Sequence, residues 1–197
     1  MKGRKKESSA ERTKGLVRVA VAVALTAALS QISIPLPSGV PLTLQTFAVA
    51  LTGFFLGCRY GLAAVGVYVL LGACGAPVFA SFTGGAYKLA DLTGGFIWGF
   101  FPVVALAGMG SSRPLSPVSI FLALTGLALC HMLGVGQYAL VTGNPLPAAA
   151  VAVSLPYIAK DVLSVLLAAF AARAINARMG RDARSEASLM RKIKNIS

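Results

Sequence analysis

The sequence predicts an all-α fold, a polytopic membrane protein with six transmembrane helices. Hydrophobic residues make up 56% of the 197 residues, and mean hydropathy is +0.77. Between Val19 and Ala172 only six side chains are charged, namely Arg59, Lys88, Asp91, Arg113, Lys160 and Asp161. Dense basic clusters flank that stretch at both ends. Unpaired backbone groups are costly in hydrocarbon, so spanning segments are helices or a closed barrel. Continuous apolar runs, without period-two alternation, select helices.

The net charge of +12, from 18 Lys plus Arg against 6 Asp plus Glu, would suit a nucleic-acid partner. Its placement excludes one. Seven positive residues precede Val19 (Lys2, Arg4, Lys5, Lys6, Arg12, Lys14, Arg18) and seven follow Ala172 (Arg173, Arg178, Arg181, Arg184, Arg191, Lys192, Lys194). They read as anchors at the surface of a lipid bilayer. Residues 1–18 are therefore a basic cytoplasmic tail, 19–172 the six-helix transmembrane domain, and 173–197 a second basic cytoplasmic tail. The charged amino-terminal stretch is too long for a cleaved signal peptide and is expected to stay attached.

Pro, Gly and charge divide the apolar region into helices at Leu16 to Ile34, Leu42 to Gly57, Tyr60 to Cys74, Gly95 to Gly110, Val118 to Val141 and Pro147 to Ala172. The first carries Ala20, Ala24 and Ala28 at a spacing of four, a smooth stripe on which another helix can pack closely if it faces outward. The connection that follows, Gln31 to Pro41, holds three prolines and stays mostly apolar. Proline fixes extended backbone, and an apolar loop at a membrane surface reads as a cover. With both termini in the cytoplasm, Arg59 and Arg113 fall in cytoplasmic loops, leaving Lys88 and Lys160 as the only positive residues on the outer half. The second outer connection, Ala76 to Gly95, contains Pro77, Phe79, Phe82, glycine pairs at 84/85 and 94/95, and both Lys88 and Asp91. Paired glycines let backbone approach a ligand closely.

Within the last helix, Lys160 and Asp161 form the only ionisable pair inside a span. At about 1.5 Å per residue counted from Arg173, Asp161 lies roughly 18 Å above the cytoplasmic end. A charge at that depth costs on the order of 3 kcal/mol and normally faces a cavity or a partner; the alternative is a helix that begins late, near Pro156, with the pair at the interface. Neighbouring helical positions diverge by about 100°, so the two need not pair with each other. Gln31, Thr43, Gln45, Thr83, Tyr87, Thr93, Asn144 and Tyr157 lie on the same side of the membrane, a set suited to a small, mainly apolar ligand with a few hydrogen-bonding atoms. His131 follows Cys130 but lacks an orienting third group and reads as a helix-packing or interfacial residue. Cys58, Cys74 and Cys130 read as packed free thiols without metal-ligand spacing. No G-x-x-x-x-G-K-[ST] occurs, so the chain binds no ATP through a P-loop.

Taken together, these segments resemble the BioY family, the biotin-specific substrate-capture (S) component of energy-coupling factor (ECF) transporters. The resemblance rests on Gln31-Ile-Ser-Ile-Pro-Leu-Pro-Ser-Gly-Val-Pro-Leu-Thr-Leu-Gln-Thr-Phe47, Gly-Ala-Pro-Val-Phe79, Thr-Gly-Gly85, Leu-Thr-Gly-Gly-Phe96 and Leu-Pro-Tyr-Ile-Ala-Lys-Asp161. It implies an S-component-like bundle in the cell membrane that takes biotin on the outer side, works with a transmembrane coupling subunit and ATPase subunits that alone bind ATP, and reorients to release it. No cofactor, no metal and no catalysis are implied. The stripe at Ala20, Ala24 and Ala28 resembles the surface that docks on the coupling subunit. Family ligand contacts map to Thr43 and Gln45, to Thr83, Gly84 and Gly85 with Thr93, Gly94 and Gly95, and to Asp161. Asp161 would accept a ureido N–H and a lysine would receive the tail carboxylate or ureido carbonyl. Phe79, Phe82, Tyr87, Phe96 and Tyr157 would pack the ring. Two departures stand out. The lysine that many members carry three residues after the aspartate is Ser164 here, leaving Lys160 or Lys88 as the cation, and Asp91-Leu92 replaces a Gly-Pro. An S component for another vitamin or precursor is the alternative. An intramembrane enzyme using Lys160, Asp161 and His131, or a scaffold without ligand, is more distant.

Overall fold

The computed structural model describes residues 9–194, with side chains over residues 12–179. Lys2, Arg4, Lys5 and Lys6, together with the basic side chains beyond Met179, lie outside those described. The helices in order are α1 (Ser9–Ser30), α2 (Gln45–Ala73), α3 (Gly94–Met109), α4 (Pro117–Thr142), α5 (Leu146–Val153) and α6 (Leu155–Lys194). Between α1 and α2, strands β1 (Ser33–Ile34) and β2 (Leu42–Thr43) pair antiparallel, Ser33 opposite Thr43. Two 3-10 turns, Ala80–Phe82 and Ala86–Leu89, lie between α2 and α3.

By length and apolarity α1, α2 and α4 each suffice to cross a membrane, and α5 with α6 forms a fourth span bent by 52°. Six passes arise because α2 is a hairpin. Gly57 adopts φ 77 and ψ 173, a mirror-image extended conformation open to glycine, and the chain doubles back there. Gln45 Nε2 donates to Tyr68 Oη at 2.7 Å, which only two antiparallel arms allow. With the shorter α3, these elements make the six-helix bundle, and the two arms correspond to the expected second and third helices.

Close packing, rather than long side chains, holds the bundle together. A Cβ on Gly53 would lie 2.6 Å from the Val104 carbonyl, and one on Gly99 would lie 2.6 Å from Cys130 Cα. The backbones of α2, α3 and α4 thus touch at small residues, the usual means of association where lipid removes the hydrophobic driving force between helices. Val103, Val104 and Ala107 of α3 are wholly buried, and Val165, Ala168, Ala169 and Ala172 of α6 close the core.

Boundaries differ from expectation at several points, among them the second helix, which starts at Gln45 and not Leu42 because Leu42 and Thr43 form β2. Helix α1 starts at Ser9 and ends at Ser30, because Ser33 and Ile34 join the ribbon. The expected last helix from Pro147 breaks at Ser154, so α6 begins at Leu155. Pro156 falls in its first turn, where the missing N–H has no helical partner to lose, whereas a continuous helix would clash with the ring. Helix α6 also continues through Lys194. The structure leaves Cys74 exposed, not packed, because it caps α2 beyond the last buried turn.

Candidate functional site

The first turns of α6 place Tyr157, Asp161 and Ser164 on one buried face, at helical spacings of four and three. Leu155, Ile158 and Leu163 are exposed on the outside of the bundle. Asp161 is only 6% exposed. It borders a cavity of about 240 Å³ enclosed by the proline-rich loop and β2, the second loop, α3, α4 and α6. That volume, a little under the roughly 300 Å³ lower end for ligand pockets, suits one small molecule.

Two oxygens of one carboxylate meet different partners at the floor of this cavity. Lys160 Nζ contacts Asp161 Oδ1, and His131 Nε2 lies 3.4 Å from Oδ2. Oδ1 is shut off from solvent, and beside its pairing with the Lys160 ammonium a carboxylate oxygen still has a second lone pair to offer a donor. Lys160 also donates to the Thr43 carbonyl at 2.8 Å. Neighbouring helical positions need not pair, yet here the long lysine stem curls across to its neighbour while the Thr43 carbonyl anchors the ammonium. Ser164, where the family lysine is missing, is buried. Of the two candidate cations, Lys160 meets the buried carboxylate, and Lys88 pairs with Asp91 at 3.1 Å.

The roof is tied to the same helix. Tyr157 Oη donates to the Val40 carbonyl and lies 3.2 Å from Ser38 Oγ. Pro35, Leu36, Val40 and Pro41 complete the apolar cover. At the side, Thr43 Oγ1 donates to Gln45 Oε1 at 3.0 Å, Gln45 Nε2 donates to Tyr68 Oη, and Tyr68 Oη donates to the Val78 carbonyl at 2.9 Å. Tyr68 meets Phe79 edge-on with ring centroids 5.6 Å apart. Phe96, Ile97 and Phe100 form an apolar wall, and Thr83, Lys88 and Thr93 a polar rim.

The second loop carries strain. Ser81 and Phe82 have φ of 58° and 55°, a region that non-glycine residues enter only when their surroundings over-determine it. The Phe82 N–H donates to Gln31 Oε1 at 2.7 Å, and Ser81 Oγ lies 2.8 Å from Ser33 Oγ. Both contacts fasten the second loop to the first. Nearby, the Leu92 N–H, and then Lys88, hold the Asp91 carboxyl below its ordinary range.

Thr43, Gln45, Phe79, Thr83, Lys88, Thr93, Tyr157, Lys160 and Asp161 converge on the one cavity. Phe82 and Tyr87 do not, and are 71% and 63% exposed, because their turns aim them away from the bundle. Gly84, Gly85, Gly94 and Gly95 lie outside the lining as well. Their close approaches are to protein: a Cβ on Gly84 would meet the Ala76 carbonyl at 2.3 Å, one on Gly94 the Leu89 carbonyl at 2.2 Å, and one on Gly95 the Leu133 carbonyl at 2.2 Å. The Gly85 N–H bonds to the Gly72 carbonyl at 2.7 Å. His131, expected as a packing residue, instead lines the cavity beside the carboxylate. Gln137 braces the second loop through the carbonyls of Leu89 and Asp91, at 3.0 and 2.8 Å. The available signal for both was their polarity within the long apolar helix α4. Tyr68 offered the same signal on α2.

Residues 3–181 match the sequence model of the BioY family. The biotin transporter BioY of Thermotoga maritima is 43% identical over 122 residues, 61% of this chain and 71% of that protein. The biotin transporter BioY of Rhizobium etli is 34% identical over 176 residues, 83% of this chain and 93% of its own. The fold is similar to the crystal structure of the S-component for biotin from an ECF-type ABC transporter, with a TM-score of 0.79 and 22% identity over 87% of this chain and 95% of that one.

Proposed function

The chain belongs to the BioY family, and from that premise we propose that it captures biotin at the outer face of the cell membrane, as the substrate-binding component of an ATP-driven vitamin transporter. One observation carries the reading: a buried carboxylate, Asp161, paired with the Lys160 ammonium, lines a small, apolar-walled cavity. The ureido ring of biotin presents N–H next to C=O, and Asp161 Oδ1 next to Lys160 Nζ is its complement. A hydrogen bond to the ionised oxygen is roughly twice as strong as a neutral one. Phe79, Phe96 and Tyr157 pack the bicyclic ring, and Lys88 on the rim receives the tail carboxylate. The proline-rich loop, held by Tyr157 and Lys160, excludes water and slows release. No bond is made or broken in the ligand.

The cavity end faces outward in this reading, and the Gly57 turn, Arg59, Arg113 and both termini face the cytoplasm. Ala20, Ala24 and Ala28, all exposed on α1, form the small-residue surface for a transmembrane coupling subunit, whose ATPase partners supply the energy. The test is binding of radiolabelled biotin to the purified chain in detergent. Asp161→Ala is expected to weaken it by about 3 kcal/mol, or more than a hundredfold. Unchanged affinity, or displacement by riboflavin or thiamine as readily as by unlabelled biotin, would overturn the proposal.

A further inference from the structure

His131 is 8% exposed, and its ring nitrogens have separate partners. Nδ1 lies 3.0 Å from Ser154 Oγ, and Nε2 lies 3.4 Å from Asp161 Oδ2. A carboxylate oxygen only accepts. The tautomer that satisfies both contacts therefore carries its proton on Nε2 and accepts the Ser154 hydroxyl proton at Nδ1. Phe96, edge-on at 5.9 Å with an interplanar angle of 89°, confines the ring from the side. Ser154 is outside the cavity lining and stands at the break where α5 and α6 bend by 52°. The imidazole thus reaches from a helix break on one side to the cavity carboxylate on the other.

We infer that His131 is a positioning residue for ligand capture: it holds Oδ2 of Asp161, so that Oδ1 faces the ligand, and Ser154 locks the imidazole in the required tautomer. The inference rests on the biotin reading above. At 3.4 Å the contact is a long, charge-assisted one, and it falls on Oδ2, leaving Oδ1 to Lys160 and the ligand. Oδ1 carries the Lys160 ion pair and keeps a second lone pair for the ligand. Without His131 the Oδ2 side of the carboxylate loses its hold, and the matched pair of Oδ1 and Lys160 is no longer presented in the same orientation.

The experiment compares biotin affinity of the full chain in detergent with that of His131→Gln, His131→Leu and Ser154→Ala, with thermal melting recorded for each. Glutamine keeps an N–H near the Nε2 position, whereas leucine fills the volume without a donor. Affinity should fall about tenfold to a hundredfold in His131→Leu, stay within about threefold in His131→Gln, and lie between in Ser154→Ala. The double variant His131→Leu/Asp161→Asn should bind no more weakly than Asp161→Asn alone, because the histidine acts through the carboxylate. Equal affinity in the leucine and glutamine variants, or multiplied losses in the double variant, overturns the inference and leaves His131 a packing role. If His131→Leu does not fold, Ser154→Ala decides, and wild-type affinity there overturns it. Failure of the unaltered chain to bind biotin removes the functional reading instead.

Discussion

Tyr157 and Lys160, one turn apart on α6, fasten the cover loop at two points, the Val40 and Thr43 carbonyls. Tyr157→Phe removes one fastening and keeps the ring. Biotin release should then quicken by about fivefold to tenfold, from the loss of roughly 1 kcal/mol of hydrogen bonding. A chase of bound radiolabel with excess unlabelled biotin measures it, and an unaltered rate would show that the tyrosine does not hold the cover. Asp91 governs the second loop differently. Its carboxyl is held below the ordinary value, so the folded loop binds that proton less readily than the unfolded chain. The contribution to stability is complete above the ordinary carboxylate range and fades as pH falls through the lowered value. Pepsin cleavage within residues 79–93 should rise on acidification in the native chain, and the rise attributable to this group should vanish in Asp91→Asn. At this scale Asp161 was legible because a charge deep in an apolar run needs a reason. Which partner meets each of its oxygens was not, since that depends on His131 and Lys160 arriving from separate directions.

Helix contacts in this bundle are set by what is missing from them. Gly99 brings α3 against the backbone of Cys130 on α4, so Gly99→Ala inserts a methyl where the nearest atoms lie 2.5 to 2.6 Å away. Overpacking of this kind costs about 1–3 kcal/mol. The variant should melt at a lower temperature in detergent, and because α3 and α4 both wall the cavity, bound biotin should recover part of the loss. A melting curve unchanged from that of the native chain would show that the two helices separate easily. Most elements were legible from apolar runs and from Pro and Gly. The doubling back of α2 was read as two helices from the punctuation around Arg59. The late start near Pro156 stood as the alternative to one helix from Pro147; both prolines permit a helix start, and packing of α5 against α4 chooses two starts over one.

The whole molecule carries its own reporter of orientation. Cys74 is exposed at the cavity end of α2, Cys58 is half-buried beside the Gly57 turn at the other end, and Cys130 is buried. A membrane-impermeant maleimide applied to intact cells should label one thiol, and Cys74→Ser should abolish that labelling. Labelling of Cys58 from outside would invert the proposed topology. What the sequence determined by itself was the membrane class and the six passes, because insertion into hydrocarbon is decided by linear runs of apolar side chains, and such runs survive without knowledge of what packs on what. What only the tertiary structure decided was the company that Asp161 keeps. His131 and the Thr43 carbonyl lie far along the chain from Asp161 and Lys160, and meet them only after α4, α6 and the ribbon have fixed their rotational phase. A hydrogen bond reads distance and direction in space, and neither is encoded in the spacing of residues along a chain.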